Sequence, residues 1–331
     1  MKGRMSTKQG VTVYAAVLDE AESIELLLDS LVEQTRPPDE ILIVDGGSRD
    51  GTVEIVQGFS VRNPMVRLVI APGTNIAQAR NLAFENAFHN LVVSIDGGCI
   101  ARRDWLANLL AALREDVDVV AGVYVADPET SWDRVIEHFY YPDLGALPDN
   151  WNNPWCSSIL IRRSVWEAIG PIPANLYRSE DKWFNLEVRK RGYRSVIARN
   201  AIVHWETRKN LWDVFWNAFV WIKSDLENGV NLSFERGRAI RISLRLTAKV
   251  LAVTLWTCGF VVSPLAGLIT LPLLGAFITK FSHRLPGLRQ FVLFNIVDYT
   301  IMLASAWGLA AGQIARLRNY RRLSKLRSVL V

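Results

Sequence analysis

The chain has 331 residues, 50% hydrophobic and 21% charged, which is enough for one large core or for one domain with an appendage. Its net charge of +5 and pI near 9.2 would suit nucleic acid, but the basic residues gather around apolar C-terminal segments, where Arg and Lys suit anionic lipid head groups or set topology. No nucleic-acid partner is therefore expected. The three cysteines, Cys99, Cys156 and Cys258, form no CxxC and no metal-ligand spacing, and their odd number gives no disulfide framework, which fits a reducing compartment. Residues 1–10 are polar and lack an apolar stretch, so no cleaved signal peptide is expected and the folded head is expected to stay in the cytosol.

The first two-thirds of the chain alternates short apolar runs with helical periodicity. Residues 11–17 (VTVYAAV) read as a strand, and 19–33 as a helix with Ile24, Leu27, Leu28 and Leu31 on one face. Pro37 and Pro38 end that helix. Residues 41–44 (ILIV) read as a buried strand, followed by the loop DGGSRDGT and a helix to about Val61. Strands are predicted at 66–70, 91–95 and 118–125, with helices at 75–89 and 104–113. This alternation means an α/β fold, a mostly parallel sheet with helices on both faces, in which ligands sit at the carboxyl ends of the strands. Asp45 and Asp96 each follow an apolar strand directly, so both are expected to line one crevice.

From about 131 to 206 the pattern loosens into Trp, Pro and Asn, with a helix predicted at 180–191 and a strand at 195–198. Residues 209–227 place Leu211, Trp212, Phe215, Trp216, Phe219 and Ile222 in helical order, which suits either a membrane interface or an ordinary helix packed on a core. Residues 250–278 carry no charge and 291–315 carry only Asp298, and each stretch is long enough to cross a bilayer. The basic residues before the first and after the second predict two crossings with both flanks cytoplasmic, and a basic loop between them leaves a monotopic arrangement open. The expected division is a head at 1–207, an interfacial helix and basic linker at 208–245, membrane helices at 246–315 and a basic cytoplasmic tail at 316–331, with the chain in the inner membrane and its head facing the cytosol.

Five ordered segments carry a family resemblance. VTVYAAVLDEAESIELLLDSL, IVDGGSRDGT, NIAQARNLAF, SIDGGCIARRDWL and RSEDKWFNLEVRKRGYR follow one another at the spacing of family 2 glycosyltransferases of the GT-A fold, and His204 stands where that family often has a histidine. The resemblance covers about 11–205. Asp19 replaces the family's usual Asn while Glu20 is kept, Gly46 replaces the second Asp of VDDGS, and the D-x-D motif reads Asp96-Gly97-Gly98. The QxxRW motif of processive synthases is absent, which favours single sugar transfer.

The resemblance implies an inverting, single-displacement transfer from a nucleotide-sugar donor. Asp181 would be the base that takes the acceptor proton and Glu180 would orient it or the acceptor. Ala16, Glu20, Asp45, Arg80 and Asp96 would bind the donor, with Asp45 on the base or ribose and Arg80 facing a phosphate. Trp155 and Trp183 would lie on the acceptor side, where the alternative for any tryptophan is core packing. A growing negative charge on the departing diphosphate needs a cation, in the family usually a divalent metal held by the last Asp of D-x-D. With Gly98 at that place three arrangements stay open: Mg²⁺ or Mn²⁺ on Asp96 and the diphosphate, a substitute ligand such as His204, or a basic side chain in place of metal. Cys99 reads as a small buried thiol. The membrane segments point to a lipid-linked acceptor in surface polysaccharide or glycolipid assembly. A polyprenyl-phosphate acceptor, needing no base, and a non-catalytic nucleotide-sugar binder are the alternatives.

Overall fold

The computed structural model describes residues 9–145, 147, 157–230 and 288–329. It divides into two compact units, one of residues 1–127 and 140–207, the other of 128–139 and 208–331.

The first unit is built on an eight-stranded sheet: β1 (Val11–Val17), β2 (Glu40–Asp45), β3 (Val66–Ile70), β4 (Leu91–Ile95), β5 (Cys99–Ala101), β6 (Val119–Val125), β7 (Ser158–Arg162) and β8 (Ser195–Trp205), in the spatial order β3-β2-β1-β4-β7-β6-β8-β5. The half β3-β2-β1-β4 is parallel, β7 runs antiparallel to both its neighbours, and β5 runs antiparallel to β8, so the sheet is mixed. Side chains alternate along β1. Val11, Val13, Ala15 and Val17 face a core layer with the apolar residues of α1 (Ile24–Val32), α2 (Thr52–Arg62) and α4 (Trp105–Ala112). Tyr14, Leu42, Val44 and Val92 face the opposite layer, formed with α3 (Ile76–Asn86), α6 (Arg163–Ile169) and α7 (Glu180–Lys190). Strands buried on both faces explain why 41–44 read as an unbroken apolar run rather than an alternation.

Register then places the acidic residues. Val17 pairs with Asp45 across β1 and β2, and Tyr14 pairs with Ser94 across β1 and β4, so Asp96 comes level with Ala16. Asp45 and Asp96 thus end two parallel strands that flank β1 at the same edge of the sheet. Two features depart from the expected elements. β8 extends well past 198, because a register shift between Ala121 and Val123 lets β6 keep pairing along it. Gly122 sits at that shift, where a Cβ would fall 2.0 Å from Ser158 Oγ and 2.6 Å from the Ala201 carbonyl.

The second unit contains α5 (Ser131–Tyr140, all but its last residue), α8 (Leu211–Glu227) and α9 (Leu288–Val329). α8 buries Val214, Ala218, Ile222 and Leu226 and leaves Trp212 and Trp216 exposed. α9 is one continuous helix of 42 residues, and the expected second membrane crossing is corrected by it: among the described residues no helix is long and apolar enough to cross a membrane. The physical reason lies in what its apolar residues touch. Gly308 and Gly312 bring the α9 backbone against α8, where added Cβ atoms would fall 2.8 Å from the Phe219 carbonyl and 2.7 Å from that of Lys223. Phe294 packs on His138 and Phe139 at ring distances of 5.2 and 4.7 Å, and Trp307 meets Phe215 edge-on at 6.1 Å. Phe294, Val297, Met302 and Ala304 are buried in this packing, while Leu303, Trp307 and Ile314 are exposed. The other expected membrane segment, 250–278, lies outside the described residues, as does the linker 231–245.

Candidate active site

The crevice at the carboxyl edge of β1, β2 and β4 begins with two interlocked loops. Asp45 is fully buried, and its Oδ1 accepts from the backbone N–H of Gly47 (2.8 Å) and of Ser48 (2.9 Å), while its Oδ2 accepts from the Ser48 hydroxyl. The loop after β1 is tied to this one by four bonds. Asp19 N–H donates to Ser48 Oγ and Asp19 Oδ1 accepts from Arg49 N–H, both at 2.8 Å. Glu20 N–H donates to Thr52 Oγ1 at 2.8 Å, and Ala21 N–H to Asp50 Oδ2 at 2.9 Å. The segment DGGSRDGT is therefore a clamp whose polar side chains hold two backbones, and Asp45 shapes the loop with both of its oxygens. Gly47, at φ 106° with an added Cβ only 3.1 Å from Pro72 Cα, supplies the turn. Asp45→Ala removes three bonds accepted by a buried carboxylate, and we expect it to lower stability by about 2–3 kcal/mol, read as a shift in the urea midpoint.

Asp96 follows β4, and its side chain is 32% exposed. Its Oδ1 lies 3.0 Å from Nη2 of Arg80, and the same nitrogen is 3.6 Å from Glu180 Oε1. Arg80 is 4% exposed and Glu180 6%. One buried guanidinium thus joins a carboxylate at the end of β4 to a carboxylate at the start of α7, 84 residues later in the chain. Local sequence explains the placement. Asn75 caps α3 reciprocally with Gln78, each side chain bonding the other's backbone N–H at 3.0 Å, which fixes the helix that carries Arg80. Asn81 accepts from Ile172 N–H (2.9 Å) and donates to its carbonyl (2.8 Å), and Asn75 donates to the Ala174 carbonyl (2.6 Å), so the segment leading into α7 is bound to α3.

Electrostatics follow from this burial. Desolvation raises the Asp96 carboxyl above its ordinary range against the pull of Arg80, with Asp181 adding to the rise. Glu180 is pushed up to about 7, chiefly by burial, offset by Arg80 and reinforced by Asp181 and Asp96. Its Oε2 is buried without a hydrogen-bond partner among the described residues. Asp181, in the same first turn of α7, is half-buried, and its Oδ1 accepts from the Lys182 N–H at 2.7 Å. Acidic groups are favoured at this end of a helix. Arg178, just before the helix, has a left-handed φ of 63° and an exposed side chain whose charge is felt at Asp96.

The remaining expected site residues fall as follows. Ala16 lies on β1 between the two strand-end carboxylates. Glu20 lies against the Gly97-Gly98 turn. Trp183 is partly buried and packs on the core layer of α3, α6 and α7, and Trp155 lies outside the described residues. His204 pairs with Ile100 across β8 and β5, and its Nδ1 is 3.0 Å from Asp127 Oδ2. Cys99 is buried, and burial pushes its thiol well up, as an inert packing residue requires. Among the described residues no group of three or more His, Cys, Asp and Glu is arranged to hold a metal ion. The joining roles of Asn81, Ser48 and Thr52 were not anticipated, since side-chain to backbone bonds across 29 to 91 residues leave no local signal.

Residues 12–170 match the family described as Glycosyl transferase family 2. The matched stretch, 159 of the 331 residues, is similar to a family 2 glycosyltransferase domain. The glycosyltransferase AglE of Haloferax volcanii is 26% identical over 216 residues, 60% of this chain and 67% of that one. A glucosyl-dolichyl phosphate glucuronosyltransferase of the same organism is 24% identical over 184 residues, 53% of this chain and 59% of that one. Other relatives are matched over less of their length, such as 24% of the glycosyltransferase YfnE of Bacillus subtilis, at 28% identity over 30% of this chain. Among solved structures, a mannosyltransferase from Pyrobaculum calidifontis, determined in complex with GDP-Man and Mn²⁺, superposes with a TM-score of 0.56 at 19% identity, covering 94% of this chain and 88% of that one. That likeness is one of fold, the GT-A arrangement of a mixed sheet with helices. The enzyme class is that of a glycosyltransferase.

Proposed function

We propose that this glycosyltransferase moves one sugar from a nucleotide-sugar donor to a lipid-linked acceptor by a single inverting displacement, with Asp181 as the base. The observation that carries the proposal is the buried Asp96–Arg80–Glu180 network, which brings the end of β4 and the first turn of α7 together. In this reading the nucleotide lies over the clamped loops of Asp19 to Ala21 and Asp45 to Thr52, held by their backbone and by the edge of Ala16, and its diphosphate reaches toward Asp96. Asp181 takes the proton from the acceptor hydroxyl while that oxygen bonds to the anomeric carbon. The bond from that carbon to the diphosphate oxygen breaks with its electron pair left on the diphosphate. Glu180 and Arg80 fix the turn that presents Asp181.

A divalent cation fits this crevice under one condition. Asp96 stands beside a turn whose Gly98 would, given a Cβ, meet only Glu20 Oε2 within 4 Å, so the floor is open. With no three-residue cluster among the described residues, the ion would draw most of its ligands from the diphosphate and water, as Mg²⁺ commonly does. When bound it would stabilise the charge on the leaving group. The Mn²⁺ in the Pyrobaculum structure supports that reading, and the name of the relative that acts on glucosyl-dolichyl phosphate supports a lipid-linked acceptor. Work at the cytoplasmic face of a membrane is part of the same proposal, supported by the basic residues that flank the uncharged stretch 250–278.

Calorimetric titration with UDP, GDP and dTDP, each with Mg²⁺ or Mn²⁺, tests the donor half. Saturable binding of one nucleotide, weakened by Asp96→Asn, is expected. Failure of all three to bind would contradict it.

A further inference from the structure

We infer that Glu20 supplies the carboxylate that position 98 lacks, so that Glu20 and Asp96 together hold the divalent cation. The inference rests on the metal-assisted reading above.

Three observations on this chain's own residues carry it. The Glu20 side chain lies over the Gly97-Gly98 turn: a Cβ at Gly97 would fall 2.8 Å from its Oε1 and 2.9 Å from its Cδ. Gly97 is outside the left-handed region, so its backbone does not require glycine. What the missing Cβ provides is the space in which the Glu20 carboxylate rests. A Cβ at Gly98 would stand 3.7 Å from Glu20 Oε2, at ordinary contact distance, so a carboxylate built at 98 and the carboxylate of Glu20 would occupy neighbouring space. Finally, Glu20 is fixed at both ends. Its N–H donates to Thr52 Oγ1 at 2.8 Å, its carbonyl accepts from Ser23 and Ile24 N–H at 3.0 and 2.9 Å, and its Oε2 accepts from Ser23 Oγ at 2.6 Å. Oε1 carries no hydrogen bond among the described residues and is left to a ligand. Two carboxylates with diphosphate and water oxygens make an all-oxygen set suited to Mg²⁺ or Mn²⁺.

The test is Mn²⁺ binding followed by electron paramagnetic resonance, with Mn²⁺ alone and with UDP or GDP, on the full chain. Glu20→Gln keeps an acceptor for Ser23 and is expected to weaken Mn²⁺ at least about tenfold. Gly97→Ala changes no charge but displaces the Glu20 carboxylate, and is expected to weaken Mn²⁺ as well. Adding Gly98→Asp to Glu20→Gln is expected to recover binding, since Asp tolerates the φ of 71° found there. If Asp96→Asn loses Mn²⁺ while Glu20→Gln and Gly97→Ala bind as the wild type does, the role of Glu20 is overturned and the metal reading stands. If the wild type shows no saturable Mn²⁺ binding under any condition, both fall.

Discussion

Asp181→Asn is expected to lower kcat about 10³-fold while leaving donor affinity near the wild-type value. The carboxylate is half-buried in the first turn of α7, and the bond its Oδ1 accepts from the Lys182 N–H can be accepted equally by an amide oxygen. The fold should therefore survive the change, and the loss should fall on the step that needs a proton acceptor. Steady-state kinetics with calorimetric donor binding checks this. Activity that persists in Asp181→Asn would point to an acceptor needing no base, such as a phosphate.

Arg80→Met is expected to destabilise the protein by about 3–5 kcal/mol at neutral pH and to abolish transfer. Methionine fills similar space but leaves the carboxylate of Glu180, only 6% exposed, without its counter-charge. The sign of the pH dependence follows from the direction of the shift. Glu180 titrates near 7 in the folded protein against an ordinary 4.5, so between those values the folded state holds the extra proton. Stability from this group therefore falls as pH rises from about 4.5 to 7, and the penalty is absent below that window. Arg80→Met should push Glu180 higher still, steepening the loss toward alkaline pH and recovering on acidification. Glu180→Gln should remove this group's part of the slope. Urea unfolding at a series of pH values separates the three proteins, and a flat profile for Arg80→Met would contradict the network.

Much of the first unit was legible because its strands are apolar on both faces and its helices are bounded by identifiable residues. Residues 11–17, 66–70 and 91–95 match the observed strands, and Asp45 and Asp96 were placed at one edge from spacing alone. What escaped had weak local signals. β5 is three residues long, and α5 and α6 fall in the stretch where Trp, Pro and Asn blur periodicity. β8 is interrupted by Arg199 and Asn200 and persists only because β6 shifts register beside it.

The candidate site was legible as residue types and not as connections. That Arg80 joins two carboxylates was not legible, because its partners come from distant elements that no periodicity relates. The bonds Asp45 accepts from its own loop were likewise not legible. The apolarity of 291–315 was read as membrane-spanning because composition cannot distinguish lipid from a neighbouring helix, and Gly308 and Gly312 settle α9 against α8.

The most direct test of sugar transfer at this crevice is nucleotide release. Purified protein would be incubated with a panel of UDP-, GDP- and dTDP-sugars, Mn²⁺ and a bacterial lipid extract, and free nucleoside diphosphate measured. The account predicts release from one donor, dependent on the extract and lost in Asp181→Asn, although that variant still binds the donor. No release from any donor, or equal extract-dependent release by Asp181→Asn, would contradict it.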